Sequence, residues 1–170
     1  GEDRVGWSEP GKVAPVTVML RKGNVGFNDA EKEKAYPKRE EEAWPIPRTQ
    51  YTNFFLTPDQ GLVADKPSST KTKKVSYQAL GSLDKPQAVK FTTAAFEQET
   101  EITGHITAHL NVSMTPEEAA GDKDMDLFVT LRHLDAAGNE IFYTGTAGDP
   151  VPLCKGWLRV SLRKVHDEHP

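Results

Sequence analysis

Two histidines have a spacing that could bind a metal ion. His105 and His109 lie four positions apart, and on a helix this spacing would bring both imidazoles to one ion. The residues around them alternate between apolar and polar types, which predicts a strand, and four residues of strand span about 13 Å. The two histidines would then share a polar face without holding one ion, so we predict no metal here.

A short acidic segment at residues 122–126 is the second candidate, because it resembles the start of a calcium loop. An EF-hand loop needs glycine at its sixth position and glutamate at its twelfth. Counted from Asp122, those positions hold Leu127 and His133. We therefore expect these carboxylates to accept hydrogen bonds from a neighbouring loop at the entry to a strand.

Nucleophilic catalysis would require an activated serine or cysteine beside a base. The closest approach to a G-x-S-x-G elbow is residues 79–83, which lack the second glycine. Cys154 is the single cysteine, which excludes a disulfide framework, and it follows Pro152-Leu153 in a predicted loop. We predict no catalytic residue and no cofactor in this chain.

Aromatic side chains offer a different chemistry, since their faces can stack on sugar rings or on a protein partner. In the last predicted strand, Trp157 lies on the face opposite Leu158 and alongside Arg159. A tryptophan at the edge of a sandwich can also simply cover its neighbours. We identify Trp157 and Arg159 as the candidate face for a substrate or a partner.

The chain that carries these side chains has 170 residues and a net charge of −4. That length suits one domain with a modest core, and the mild acidity argues against nucleic acid as a partner. No apolar run is long enough to span a membrane, and the charged amino terminus does not match a signal peptide. We expect a cytoplasmic protein.

Short alternating runs separated by proline and glycine predict an all-β fold. We divide the chain into a lead-in strand with a charged loop at residues 1–43 and a β-sandwich at residues 44–170. No internal repeat is apparent. A turn is predicted at residues 135–139 and a helical turn at residues 115–118. The predicted strands are residues 13–20, 49–56, 75–77, 89–93, 102–114, 127–131, 141–143 and 157–165.

Four segments in order resemble the C-terminal domain of X-prolyl dipeptidyl-peptidases and cocaine-esterase-like serine hydrolases. They are residues 44–56 (WPIPRTQYTNFFL), 91–104 (FTTAAFEQETEITG), 124–131 (DMDLFVTL) and 156–164 (GWLRVSLRK). The resemblance implies a galactose-binding-like jelly roll. It also implies a partner, an α/β-hydrolase domain that carries the Ser–Asp–His triad, against which this domain packs, shaping the pocket and in some members forming a homo-oligomer.

Two departures from that family limit what the resemblance carries. The triad domain is absent, so no catalytic role transfers to any residue here. Family members also continue beyond the position of Pro170, so we expect a jelly roll that is incomplete at its C-terminus. The expected function is therefore that of an accessory, non-catalytic β domain of a serine hydrolase. The alternative is a free-standing module that binds carbohydrate or another ligand.

Overall fold

The computed structural model describes residues 6–68, 70–79, 81–82, 85–115, 117 and 124–164. The chain divides into two units: unit 1 comprises Gly1–Ile46 and His105–Pro170, and unit 2 comprises Pro47–Gly104. Unit 2 is thus an insertion in the sequence of unit 1. The domain boundary predicted after residue 43 stays a prediction.

The described elements are almost entirely strands, which confirms the predicted all-β class. Each strand pairs with one antiparallel neighbour, forming two-stranded ribbons. Helix α1 is one turn long (Ala30–Glu33). The strands are β1 (Val16–Met19), β2 (Lys38–Glu41), β3 (Phe55–Leu56), β4 (Leu62–Val63), β5 (Asp126–Leu131), β6 (His133–Leu134), β7 (Glu140–Ile141), β8 (Tyr143–Thr144), β9 (Pro150–Val151) and β10 (Cys154–Arg159).

The first ribbon of unit 1 pairs β1 with β2, a strand that lies inside the segment predicted as a charged loop. Helix α1 precedes β2, and the Asp29 carboxylate caps it by accepting from the Lys32 backbone N–H. In β2, Glu41 is buried and accepts from the Arg39 side chain at 2.5 Å. Sequence periodicity does not predict this strand, because charged residues occupy both of its faces although one face is more buried than the other.

Two consecutive hairpins with matching turns follow in unit 1. The β6–β7 turn closes with a 2.9 Å bond from Asp135 N–H to the Asn139 carbonyl, which confirms the turn predicted at residues 135–139. The β8–β9 turn closes in the same way from Gly145 to Asp149 at 2.7 Å. Gly138 and Gly148 hold equivalent positive φ angles of 84° and 80°. This local repeat escapes sequence comparison because the turns share little beyond an Ala-Gly pair.

Aromatic and aliphatic side chains from distant parts of the sequence form the small core of unit 1. Tyr143 is 2% exposed and Ile141 is 5% exposed, and Tyr36 and Ile46 are also buried. Phe27 meets Phe142 edge to face, with ring centroids 6.4 Å apart. The tandem hairpins therefore supply the residues around which the N-terminal segment of unit 1 packs.

The last ribbon of unit 1 pairs β5 with β10. The β5 strand agrees with the prediction for residues 127–131. The strand predicted at residues 157–165 is wrong in its limits, because β10 begins at Cys154 and ends at Arg159. A 3-10 helix follows at Val160–Leu162, and the Asp124 carboxylate accepts from the Ser161 backbone N–H at 3.1 Å. This bond turns the chain out of the strand.

Unit 2 contains the β3–β4 hairpin, whose strands are joined by a turn at residues 57–61. An isolated parallel bridge joins Gly61 to Thr92. The strand predicted at residues 49–56 is reduced to Phe55–Leu56, and that at residues 89–93 is reduced to this bridge. The segment at residues 75–77 forms no strand.

The strand predicted at residues 102–114 is also wrong: these residues, all described, pair with no neighbouring strand. Alternation of side chains specifies two faces, but a strand also requires a partner's backbone N–H and C=O groups. The helical turn predicted at residues 115–118 depends on Pro116 and Glu118, which lie outside the described residues.

Candidate functional site

The β5–β10 ribbon places Trp157 directly opposite Phe128 in the register. The two aromatic side chains lie on one face, since cross-strand partners point to the same side of a sheet. Trp157 is 74% exposed and Phe128 is 77% exposed. We call this pair the aromatic face. Sequence reasoning identified Trp157 but missed Phe128, because the pairing of the strands is what brings the two together.

Arg159, the second predicted residue, lies on the same face as Trp157 but is held within the ribbon. Its guanidinium donates to both carboxylate oxygens of Asp126, from Nε at 2.8 Å and from Nη2 at 2.9 Å. Asp126 is also its partner in the strand register. This paired contact orients the guanidinium beside the aromatic face.

Hydrogen bonds at this end of the ribbon shift three ionisation equilibria. Hydrogen bonding from Arg159 lowers the pKa of Asp126, and hydrogen bonding from Ser161 lowers the pKa of Asp124. The hydrogen bond to Asp126 in turn raises the pKa of Arg159. Asp124 accepts from Ser161, beyond the end of β10, as predicted for the acidic segment. Asp126 accepts instead from Arg159 of the paired strand, and Asp122 lies outside the described residues.

The opposite face of the ribbon carries aliphatic side chains. Leu127 pairs with Leu158, and Val129 pairs with Gly156. Leu158 is 46% exposed and Val129 is 42% exposed. A two-stranded ribbon on its own is marginally stable in water, so these exposed faces mark where further packing would stabilise it.

The histidines examined as metal ligands have other surroundings. His105 Nε2 accepts a hydrogen bond from the Trp44 indole N–H at 3.1 Å. Within the described ranges, no group of three or more histidine, cysteine, aspartate or glutamate side chains is arranged to hold a metal ion. The loop predicted around Cys154 is wrong, since Cys154 is the exposed first residue of β10 and pairs with Leu131.

A polar cluster that the sequence did not indicate surrounds Tyr143. The Tyr143 hydroxyl lies 2.8 Å from Nδ1 of His133, and the two rings stack. The Arg21 guanidinium lies 4.9 Å from the centre of the Tyr143 ring. Burial raises the pKa of Tyr143. No sequence motif could reveal this cluster, since Arg21 is distant in the chain from the other two residues.

No helix in the described part of the chain has the length and apolar character needed to cross a membrane. The strand content defines an all-β domain with an exposed aromatic face. The chain belongs to the family described as the X-Pro dipeptidyl-peptidase C-terminal non-catalytic domain, which matches residues 10–169.

This match confirms the resemblance read from the four sequence segments, and the family is of the β-sandwich type. No curated protein and no solved structure matches the chain. The likeness to cocaine-esterase-like hydrolases stays a prediction. The family's non-catalytic character fits the expectation that this chain supplies no catalytic residue.

Proposed function

We propose that this chain packs against an α/β-hydrolase catalytic domain and helps to wall its substrate pocket. The observation that carries the proposal is the aromatic face formed by Trp157 and Phe128. Large aromatic side chains contribute most to protein contacts when they become buried, and such side chains are over-represented at interfaces. Two of them paired across strands, each about three-quarters exposed, offer an anchor for a neighbouring domain.

The ion pair beside the aromatic face supports the same role. Arg159 and Asp126 already satisfy each other within the ribbon. Burying the aromatic pair against a partner would leave this ion pair at the polar rim, where it needs no new countercharge. The ribbon thus combines an apolar centre with a compensated charged border.

In the proposed parent enzyme, acyl transfer would be carried out by a Ser–Asp–His triad in the catalytic domain. This chain would contribute binding and exclusion of water rather than a nucleophile. We propose hydrolysis of X-Pro dipeptide substrates as the parent activity, with ester or amide substrates as the related alternative. The family description supports the peptidase activity.

The test uses the longest polypeptide encoded with this chain, expressed as wild type and with Trp157→Ala plus Phe128→Ala. We expect the double variant to show a higher KM for an X-Pro p-nitroanilide, with a smaller change in kcat, because substrate walls act on binding. Tyr51→Ala is the matched control, since Tyr51 is an exposed aromatic residue (66%) in unit 2. Unchanged kinetics in the double variant, or a polypeptide without a hydrolase domain, would overturn the proposal.

The second candidate is a free-standing module that binds carbohydrate, which the same exposed aromatic pair favours because rings stack on pyranose faces. Glycan-array binding by the 170-residue chain distinguishes the two. Binding that is lost in Trp157→Ala and retained in Tyr51→Ala would support the carbohydrate module.

A further inference from the structure

Unit 2 contains a cleft of about 350 Å³ that the proposed function does not use. It lies between the β3–β4 hairpin and the lysine-containing loop that follows, and a volume of this order suits a small ligand. The residues that the argument uses are Leu56, Gln60, Lys71, Lys73, Val75 and Phe91.

The apolar part of the cleft is formed by Leu56, Val75 and Phe91. Backbone hydrogen bonds place Phe91 beside the hairpin: Thr92 N–H donates to the Gln60 carbonyl at 3.0 Å, and Leu62 N–H donates to the Thr92 carbonyl at 2.9 Å. The Gln60 side chain adds a bond to the Lys90 carbonyl at 3.1 Å. Leu56 and Val75 remain 47% and 44% exposed, so a ligand could cover them.

The polar part of the cleft is basic. Lys71 and Lys73 line it, and no acidic residue is among its lining residues. Residues 66–82 carry four lysines and no aspartate or glutamate. Within the described residues, Lys73 forms no ion pair. A negatively charged group beside Lys73 would therefore meet positive charge without displacing a carboxylate from that side chain.

We propose that this cleft binds a small organic carboxylate with an aromatic or branched aliphatic body. The apolar body would cover Leu56, Val75 and Phe91, a contact favoured by removal of apolar surface from water. The carboxylate would face Lys73, whose ammonium group can donate charge-assisted hydrogen bonds. A ligand lacking either part would leave one half of the cleft without a complementary contact.

The test measures binding of 3-phenylpropanoate to the 170-residue chain by chemical-shift titration. Lys73→Gln removes one charge from the cleft and is preferred to Lys71→Gln, because Lys71 also makes a contact within the chain. Lys74→Gln is the matched control, since Lys74 is adjacent in sequence but does not line the cleft. The neutral amide 3-phenylpropanamide and inorganic phosphate serve as control ligands.

We expect Lys73→Gln to weaken binding about three- to fivefold, as for a partly solvated ion pair, and Lys74→Gln to leave it nearly unchanged. The shifts should involve Phe91 and Val75, and raised salt should weaken the binding. Absence of binding, equal binding to both lysine variants, or equal binding of the amide or of phosphate would overturn the proposal. The result is independent of the hydrolase proposal, because no catalytic domain takes part.

Discussion

Trp44 donates its indole N–H to Nε2 of His105 across 3.1 Å, and the two rings meet edge to face at 5.6 Å. Trp44 lies two residues before the end of the first part of unit 1, and His105 begins the second part. One hydrogen bond therefore joins, within unit 1, the point where the chain leaves and the point where it returns. The segment between them contains the whole of unit 2.

This contact predicts the tautomer of His105. The indole N–H can only donate, so Nε2 must accept, and the neutral imidazole carries its hydrogen on Nδ1. Long-range ¹⁵N–¹H NMR at neutral pH should show that tautomer. Removing the acceptor in His105→Ala should move the Trp44 indole N–H resonance, because that donor then lacks its partner. The matched control His109→Ala should leave that resonance in place, and an Nε2–H tautomer of His105 would contradict the contact.

The pairing of Arg159 with Asp126 predicts an acid-sensitive end to the β5–β10 ribbon. The pKa of Asp126 is lowered below its usual 3.8 mainly by the hydrogen bond from Arg159. A lowered folded-state pKa contributes stability above the unfolded value, and that stability is lost as the pH falls through the folded value. We expect Arg159→Gln to raise the pKa of Asp126 in an NMR carboxyl titration and to reduce the loss of ribbon stability in acid.

Asp135 provides the internal control for that titration. Its pKa is also lowered, but by hydrogen bonds from Asn139 in the β6–β7 turn. Arg159→Gln should leave the Asp135 titration unchanged. If Asp126 titrates in Arg159→Gln as it does in the wild type, the ion pair between Arg159 and Asp126 does not form in solution.

The tandem hairpins predict unequal costs for two glycine substitutions. Gly138→Ala forces a side chain into the left-handed region at φ 84°, which costs about 1–2 kcal/mol. Gly148→Ala bears the same strain at φ 80° and also places Cβ 3.1 Å from Oδ1 of Asn28. We expect both variants to lower the free energy of unfolding in urea, Gly148→Ala more than Gly138→Ala. The reverse order would indicate that Asn28 does not pack against the second turn.

We expect the hydroxyl and the ring of Tyr143 to contribute separately to the free energy of unfolding. Tyr143→Phe removes the 2.8 Å contact with His133 and should cost about 1 kcal/mol in urea unfolding. Tyr143→Leu also removes the ring beneath Arg21, so it should cost more. Equal stabilities of the two variants would show that the Arg21 contact contributes nothing.

The raised pKa of Tyr143 makes the stability of the fold decrease at high pH, whereas the lowered pKa of Asp126 makes it decrease in acid. Burial favours the neutral phenol of Tyr143 and raises its pKa above the usual 10.0. The contribution of this group to folding stability is therefore complete below pH 10.0 and is lost as the pH rises through the folded-state pKa. Ultraviolet titration of phenolate formation should therefore lose a late-ionising group in Tyr143→Phe. Identical titration curves would contradict the buried hydroxyl.

Features of the chain that depend on neighbouring residues could be predicted from sequence. The alternation through residues 127–131 predicts β5, and the Asp135-to-Asn139 turn follows from Gly138 and an aspartate that accepts local backbone bonds. The same period of two correctly separates Trp157 and Arg159 from Leu158. Four ordered segments were sufficient to identify the family.

Features that depend on distant residues could not be predicted. Charged residues in β2 conceal a strand because the β1 backbone, rather than the polarity of its side chains, makes it one. Residues 102–114 have the alternation of a strand and lack a paired neighbour. The contacts between Trp44 and His105, and between Arg21 and Tyr143, join positions that no local pattern relates.

The amino-acid pattern alone is enough to specify an all-β domain, the face that carries Trp157, and membership of a non-catalytic peptidase domain family. The first two properties follow from side-chain period and local turn chemistry, which act over a few residues. Family membership follows instead from the resemblance of four ordered segments. The pairing of Trp157 with Phe128, the basic cleft of unit 2 and the Trp44–His105 contact required the folded chain. They depend on strand register and on packing between segments far apart in sequence, and the side-chain pattern of one segment does not contain the identity of its partner.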